Sequence, residues 1–246
     1  MTSSLAFSLL KNKSVVRSKM ERRAALVYDK DSSSLRNDAA ELTKILAPLG
    51  YEVKHFQKAT RSEYKDAFKY LVSGAKKHHH RFFYSGSHGF QVDGNERDGK
   101  DECIATTDGR KIRDTKVRED LVMALPKGCI LNAFVTACHS GTIADMEHNW
   151  RYSGDTREYR DDNYPDENAD ICFFTACQDD ESTWSRNWNG TKHTDLIGGF
   201  LTQVDHMTTY KDLLHGIQGQ YDARKSGSTA QLACHPKNRI SEKVDF

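Results

Sequence analysis

Two apolar runs, each stopping at a turn of small residues, constrain this chain more than any other feature. The first is Arg81-Phe82-Phe83-Tyr84-Ser85-Gly86, followed by Ser87-His88-Gly89. The second is Ile130-Leu131-Asn132-Ala133-Phe134-Val135, followed by Thr136-Ala137-Cys138-His139-Ser140-Gly141. Short apolar runs bounded by Gly and small polar residues read as buried strands. In an open α/β sheet, ligands collect beyond the carboxyl ends of the strands. Parallel, neighbouring strands would bring His88 and Cys138 out side by side at that edge, as a nucleophile and its base. The 50 residues between them leave room for the crossover that a parallel pair requires.

The rest of the chain alternates in the same way. Strands are predicted at 24–28, 51–56, 81–85, 130–135, 169–175 and 230–234. Helices are predicted at 37–49, 61–77, 114–124, 195–204 and 210–224. Leu42, Ile45, Leu46 and Leu49 keep helical spacing before Gly50, and Thr60 with Glu63 makes a capping box. The Gly- and Asp-rich stretch 91–101 reads as a loop, and so does the polar stretch 145–168. Alternating strands and helices predict an α/β fold, a mostly parallel sheet with helices on both faces.

Composition excludes several function classes. The formal net charge is +1, so no strong field steers nucleic acid or an anionic membrane. Mean hydropathy is −0.74, and no run approaches the roughly 20 apolar residues of a membrane span. None of the six cysteines forms a C-x-x-C pair, which argues against zinc and thioredoxin-like chemistry. A reducing, cytoplasmic setting is expected, with most thiols as core residues. No Walker or dinucleotide fingerprint is present, so no organic cofactor is expected. His78-His79-His80 reads as a solvated lead into a strand. Residues 1–23 are basic, with Glu21 their only acid. They are expected to be a flexible arm, with an organellar transit peptide as the alternative. One unit is expected over 24–246, divided into 24–144, a linker at 145–168, and 169–246.

On the residues alone, Cys138 and His88 could also be a core thiol and a turn histidine. His139 ranks below His88, because sequential side chains in extended chain point apart. Six short motifs then add a family resemblance. Tyr84-Ser85-Gly86-Ser87-His88-Gly89-Phe90-Gln91 resembles the Y-S-G-H-G-x-Q segment of metacaspases, with one residue inserted before the His. Cys138-His139-Ser140-Gly141-Thr142 matches their C-H-S-G-T. Asp98-Gly99-Lys100-Asp101-Glu102 resembles D-G-x-D-E, and Leu125-Pro126-Lys127-Gly128 resembles L-P-K-G. Ala176-Cys177-Gln178-Asp179-Asp180 resembles G-C-x-D-D, and Asn37-Asp38-Ala39 resembles N-D-A. The motifs stand in the family's order along nearly the whole chain.

The resemblance implies a caspase-like three-layer sandwich and a cysteine endopeptidase acting on peptide or protein substrates, generally as a monomer. Cys138 falls on the family nucleophile and His88 on its base, with Gly89 and Cys138 N–H groups as the oxyanion hole. It implies cleavage after Arg or Lys, with Asp38, Gly86 and Thr136 in the S1 pocket. Thr136 stands where the family has an acid, which should weaken recognition of a basic side chain by about 1.5–3 kcal/mol. It also implies calcium, with Asp101, Asp114 and Asp145 on ligand positions and Thr115 replacing a further acid. Self-cleavage would fall in 145–168, after Arg151, Arg157 or Arg160. Thr136, Thr115 and the inserted Ser87 leave two alternatives, a protease of altered P1 choice and a silent family member acting as a binding module.

Overall fold

Strict alternation along the central strands sends successive side chains to opposite faces of one sheet, and each face has its own core. The computed structural model describes residues 20–94, 99–146, 148–151, 156–157, 167–205 and 208–246. In chain order the first elements are β1 (Arg22–Tyr28), α1 (Ser33–Leu46), β2 (Glu52–Phe56), α2 (Arg61–Val72) and β3 (His80–Gly86). Next come β4 (Gly89–Asp93), β5 (Lys100–Ala105), β6 (Lys111–Arg113), α3 (Asp114–Val117) and β7 (Ile130–Val135). They are followed by β8 (Asn149–Trp150), β9 (Thr156–Arg157), β10 (Asp170–Thr175), β11 (Ser185–Trp188) and β12 (Thr191–Thr194). The last are α4 (Asp195–Gln203), α5 (Tyr210–Ala223) and β13 (Gln231–His235).

The main sheet has the order β2-β1-β3-β7-β10-β13-β8-β9. Its first five strands are parallel, and β13 and β8 run antiparallel to their neighbours. Ala25, Val27, Phe83, Leu131, Val135 and Phe173 share one core with Tyr64, Phe68 and Leu71 of α2. Ala24, Leu26, Phe82, Phe134 and Phe174 form the other core with α1, α4 and α5. There the Phe134 ring stacks on Phe174 at 4.8 Å and on Phe82 at 5.6 Å, joining three adjacent strands. This is the expected three-layer α/β arrangement.

Four expectations need correction. Both ends of the 91–101 stretch are strand, with 95–98 outside the described residues: β4 pairs with β5, and β5 with β6, in a separate antiparallel sheet. Its strands carry charged and exposed residues that break the apolar alternation a sequence reading relies on. The stretch 145–168 includes β8 and β9, two-residue strands that extend the main sheet. Residues 182–194, left without an element by the sequence, hold the β11–β12 hairpin. The helix expected at 114–124 is α3 followed by one wide π turn, Arg118–Val122.

That wide turn directs Arg118 inward, fully buried. Its guanidinium donates to the Asp145 carbonyl and to the Glu167 carboxylate, both at 2.6 Å. One side chain therefore fastens both ends of the 145–168 stretch. Burial alone would raise the Glu167 pKa, but hydrogen bonds with His235 and Arg118 outweigh it and hold the carboxyl down at about 2. The folded value lies below the unfolded one, so this stabilisation is present above about pH 4.5 and is lost as pH falls towards 2. The shift corresponds to on the order of 3 kcal/mol. Arg118→Met should lower stability at neutral pH by about 3–5 kcal/mol, because it strands a buried carboxylate. Urea unfolding at pH 7 and pH 3 measures this. A variant as stable as the parent at pH 7 would refute the clamp.

Candidate active site

The β3–β7 register sets the geometry of the site. Ser85 pairs with Val135, and the Thr136 N–H donates to the Ser85 carbonyl at 2.9 Å. His88 and Cys138 each lie three residues past that paired position, so both chains leave the sheet at one level. Beyond the strands the two chains touch. A Cβ on Gly89 would stand 1.9 Å from the Cys138 carbonyl oxygen and 3.0 Å from the Ala137 Cβ. Only glycine fits there.

The inserted Ser87 is taken up in this turn. Its hydroxyl donates to the Ala105 carbonyl, and the Ala105 N–H donates back to the His88 carbonyl at 2.8 Å. The extra residue is thus pinned to β5, and His88 is exposed. Five of the six cysteines are buried, and Cys138 alone is part-exposed. The Thr183 N–H donates to its sulfur at 3.4 Å. Among the described residues, no hydrogen bond joins the His88 ring to that sulfur, and the Cys138 N–H has no backbone acceptor. Catalytic contacts commonly tighten only when substrate binds.

The turn carrying Cys138 is braced by residues that the sequence reading names only within motifs and by Glu181, which it does not name. His139 takes a positive φ of 51° and donates its N–H to the Glu181 carbonyl at 3.1 Å. Its Nδ1 contacts the Asp179 carbonyl, so the ring is engaged away from the thiol. Burial pushes the Cys177 thiol up to about 12, a neutral group packed against the Ala137 and Glu181 carbonyls. The Thr142 N–H donates to Asp179 at 3.0 Å, and its hydroxyl to Glu102 at 2.7 Å. Burial beside Asp179 raises the Glu102 pKa to about 7. Trp184, the residue after Thr183, is 59% exposed.

The three expected S1 residues do converge, around the Tyr84 hydroxyl. That hydroxyl donates to Asp38 at 3.0 Å, and the Thr136 hydroxyl donates to the adjacent Ser85 carbonyl at 3.3 Å. A Cβ on Gly86 would lie 2.6 Å from the Tyr84 hydroxyl. Asp38 is wholly buried, and its carboxylate also accepts from the Thr194 hydroxyl at 2.6 Å and contacts His193 Nδ1 at 2.8 Å. Burial raises its pKa, opposed by the His193, Thr194 and Tyr84 hydrogen bonds. The acid expected to meet a basic side chain is thus occupied by internal partners.

The expected calcium positions Asp101, Asp114 and Asp145 are all buried. They carry the hard oxygen donors calcium takes. However, the Arg113 guanidinium pairs with Asp101, and Asp114 accepts the N–H groups of Glu102 and Thr115. Among the described residues, no three acids, imidazoles or thiols form a group able to hold a metal ion. The donor set as folded does not fit a ready calcium site. Of the expected self-cleavage residues, Arg151 follows β8 and Arg157 lies in β9, while Arg160 is outside the described residues.

A mostly parallel sheet between two helical layers, with a thiol and an imidazole leaving adjacent strand ends, defines a caspase-type cysteine peptidase scaffold. The chain matches the caspase-domain family over residues 25–242 and belongs to it. It is 37% identical over 105 residues to Metacaspase-1 of Yarrowia lipolytica, covering 40% of this chain and 23% of that protein. It is 35% identical over 137 residues to Metacaspase-3 of Arabidopsis thaliana, covering 50% of this chain and 38% of that protein. The matched part is thus less than half the length of either relative. A solved structure of a Geobacter sulfurreducens protein superposes with a TM-score of 0.67 at 18% identity, covering 92% of this chain and 98% of that one. The metacaspase resemblance and the caspase-like fold are both borne out.

The burial pattern makes a prediction independent of catalysis. In the folded protein one thiol, Cys138, should react rapidly with an aromatic disulfide reagent, and the other five only on unfolding. Peptide mapping of the labelled chain checks this. Fast labelling of several cysteines would contradict the packing described.

Proposed function

We propose that this chain is a cysteine endopeptidase using Cys138 as nucleophile and His88 as general base and acid. The observation that carries the reading is the shared level of these two residues past paired, parallel strand ends, with Cys138 the one part-exposed thiol. His88 takes the thiol proton, and the sulfur attacks the scissile carbonyl carbon. The N–H groups of Cys138 and Gly89 stabilise the oxyanion. The proton on His88 passes to the leaving amine. Water then attacks the thioester, giving up a proton to His88, and returns the free thiol.

Arg or Lys is proposed at P1, with Asp38 as the acid in reach. The preference should be shallow, because Thr136 is neutral and Asp38 already holds four hydrogen-bond partners, including the Thr194 N–H. Calcium is proposed only as a weak effector, since binding at Asp101 must displace Arg113. Self-processing is proposed after Arg151, Arg157 or Arg160.

Internally quenched peptides with Arg, Lys, Asp or a neutral residue at P1 test this, in calcium or chelator. Cys138→Ala should abolish cleavage, and His88→Ala should lower kcat by about 100-fold or more. Removing the calcium should change the rate little. Cleavage that survives Cys138→Ala would overturn the proposal. A folded protein that cleaves nothing would favour the silent binding module, for which the Thr136 replacement and the buried Asp38 are the supporting observations.

A further inference from the structure

One cavity of the structure is lined by neither His88 nor Cys138. It measures about 640 Å³ and lies on the small β4–β5–β6 sheet. Arg61, Arg110, Lys111, Arg113 and Lys116 line it, together with Phe90, Gly109 and Thr115. No acid is among its lining residues. A concave site of a few hundred Å³ is the size of a small-molecule pocket. Five cations in so small a volume repel one another unless an anion is present.

The surrounding acids leave this charge mostly uncompensated. Asp108 stands 3.9 Å from Arg110 but already accepts the Thr106 hydroxyl at 2.5 Å and the Arg61 N–H at 3.3 Å. Lys116 is shared between Glu119 and Asp120, all three well exposed and screened by solvent. Arg113 pairs with Asp101. Arg61 and Lys111 have no acidic partner among the described residues, and the Arg61 Nε is shielded from solvent with no hydrogen-bond partner. A shielded donor left unpaired is costly, and an anionic acceptor would satisfy it.

The pocket is also held in place before any ligand arrives. The turn between β5 and β6 closes through the Gly109 N–H on the Thr106 carbonyl at 3.1 Å. Its tip docks on the start of α2 through the Thr107 N–H to the Ala59 carbonyl at 3.2 Å. Phe90 pairs with Cys103 and Cys103 with Arg113, so the exposed Phe90 and Arg113 share one face of the small sheet and both line the pocket. Multiply charged oxygen anions are what dense Arg and Lys clusters recognise, and an aromatic face beside them suits a planar ring.

We propose that this pocket binds a polyphosphate anion, either bare or carried by a nucleotide. An acidic peptide is the weaker fit, because it spreads single charges along an extended chain rather than concentrating them in one cavity. The site adjoins the catalytic turn, since Phe90 follows the Gly89 that packs on Cys138. The proposal does not depend on peptidase activity.

Titration calorimetry with inorganic tripolyphosphate, ATP and tri-glutamate, in chelator without divalent metal, tests it. Tripolyphosphate should bind one-to-one and weaken as salt rises. Arg61→Gln and Lys111→Gln should each weaken it about tenfold or more, while exposed Lys237→Gln should not. ATP binding more tightly than tripolyphosphate, with the gain lost in Phe90→Ala, would support the nucleotide form. Equal affinity would support the bare polyphosphate form. Thermal melts of each variant exclude unfolding as the cause. No binding, binding insensitive to Arg61 and Lys111, or equally tight binding of tri-glutamate would each overturn the proposal.

Discussion

The parallel pairing of β3 with β7 is the constraint on which the site depends. A one-residue slip would move every side chain of a strand to the opposite face, placing the Phe82 and Phe83 rings in the wrong cores. Burial on both faces forbids that slip. The same register fixes how far His88 and Cys138 stand beyond the sheet, so core packing and site geometry are one specification. Gly89 then removes the last freedom, because its backbone lies against the Cys138 carbonyl where any side chain would collide.

Holding the thiol turn needs more than the strands. The segment from Cys177 to Thr183 lies under it and supplies carbonyl acceptors and one N–H donor to the sulfur. Asn149 donates to the Gly141 carbonyl at 2.8 Å, so the far side of the turn is tied to β8. Arg118 fixes the chain again at Asp145 and Glu167. The turn is thus supported both by Arg118, which precedes it, and by residues up to 45 positions after Cys138. Pre-organisation of this kind keeps a nucleophile in place without strain being released at each turnover.

How much of this was legible in the sequence follows from the physics of each signal. The six longer strands of the main sheet are apolar or alternate cleanly, so their residues announced them, and β7 was placed without error at 130–135. The helices were visible where Leu42 and Leu46, or the Thr60 capping box, repeat local rules. The strands β4, β5, β6, β11 and β12 carry no such signal, because they are short, they pair with each other outside the main sheet, and charged residues such as Asp101 and Glu102 occupy buried positions in β5. Cys138 and His88 were legible as strand-end residues. Glu181, Thr183 and His193 were not, since they reach the site only through pairings that no local pattern encodes.

The electrostatics around Asp38 depart most from the family expectation. A carboxylate that recognises a basic side chain must present its charge to the cleft. Here the charge is directed inward, to His193, Thr194 and Tyr84, and no oxygen is exposed. An arriving guanidinium would have to exchange one of these partners while Asp38 remains desolvated, and the gain from the new pair would be offset by the bond given up. Thr136, also buried, contributes a hydroxyl rather than a charge, and that hydroxyl donates to the Ser85 carbonyl. On the function proposed above, charge at this corner would add little to the choice of P1 residue. The pocket at Arg61 and Lys111, by contrast, is lined by five cations and no acid, so the field it presents favours anions.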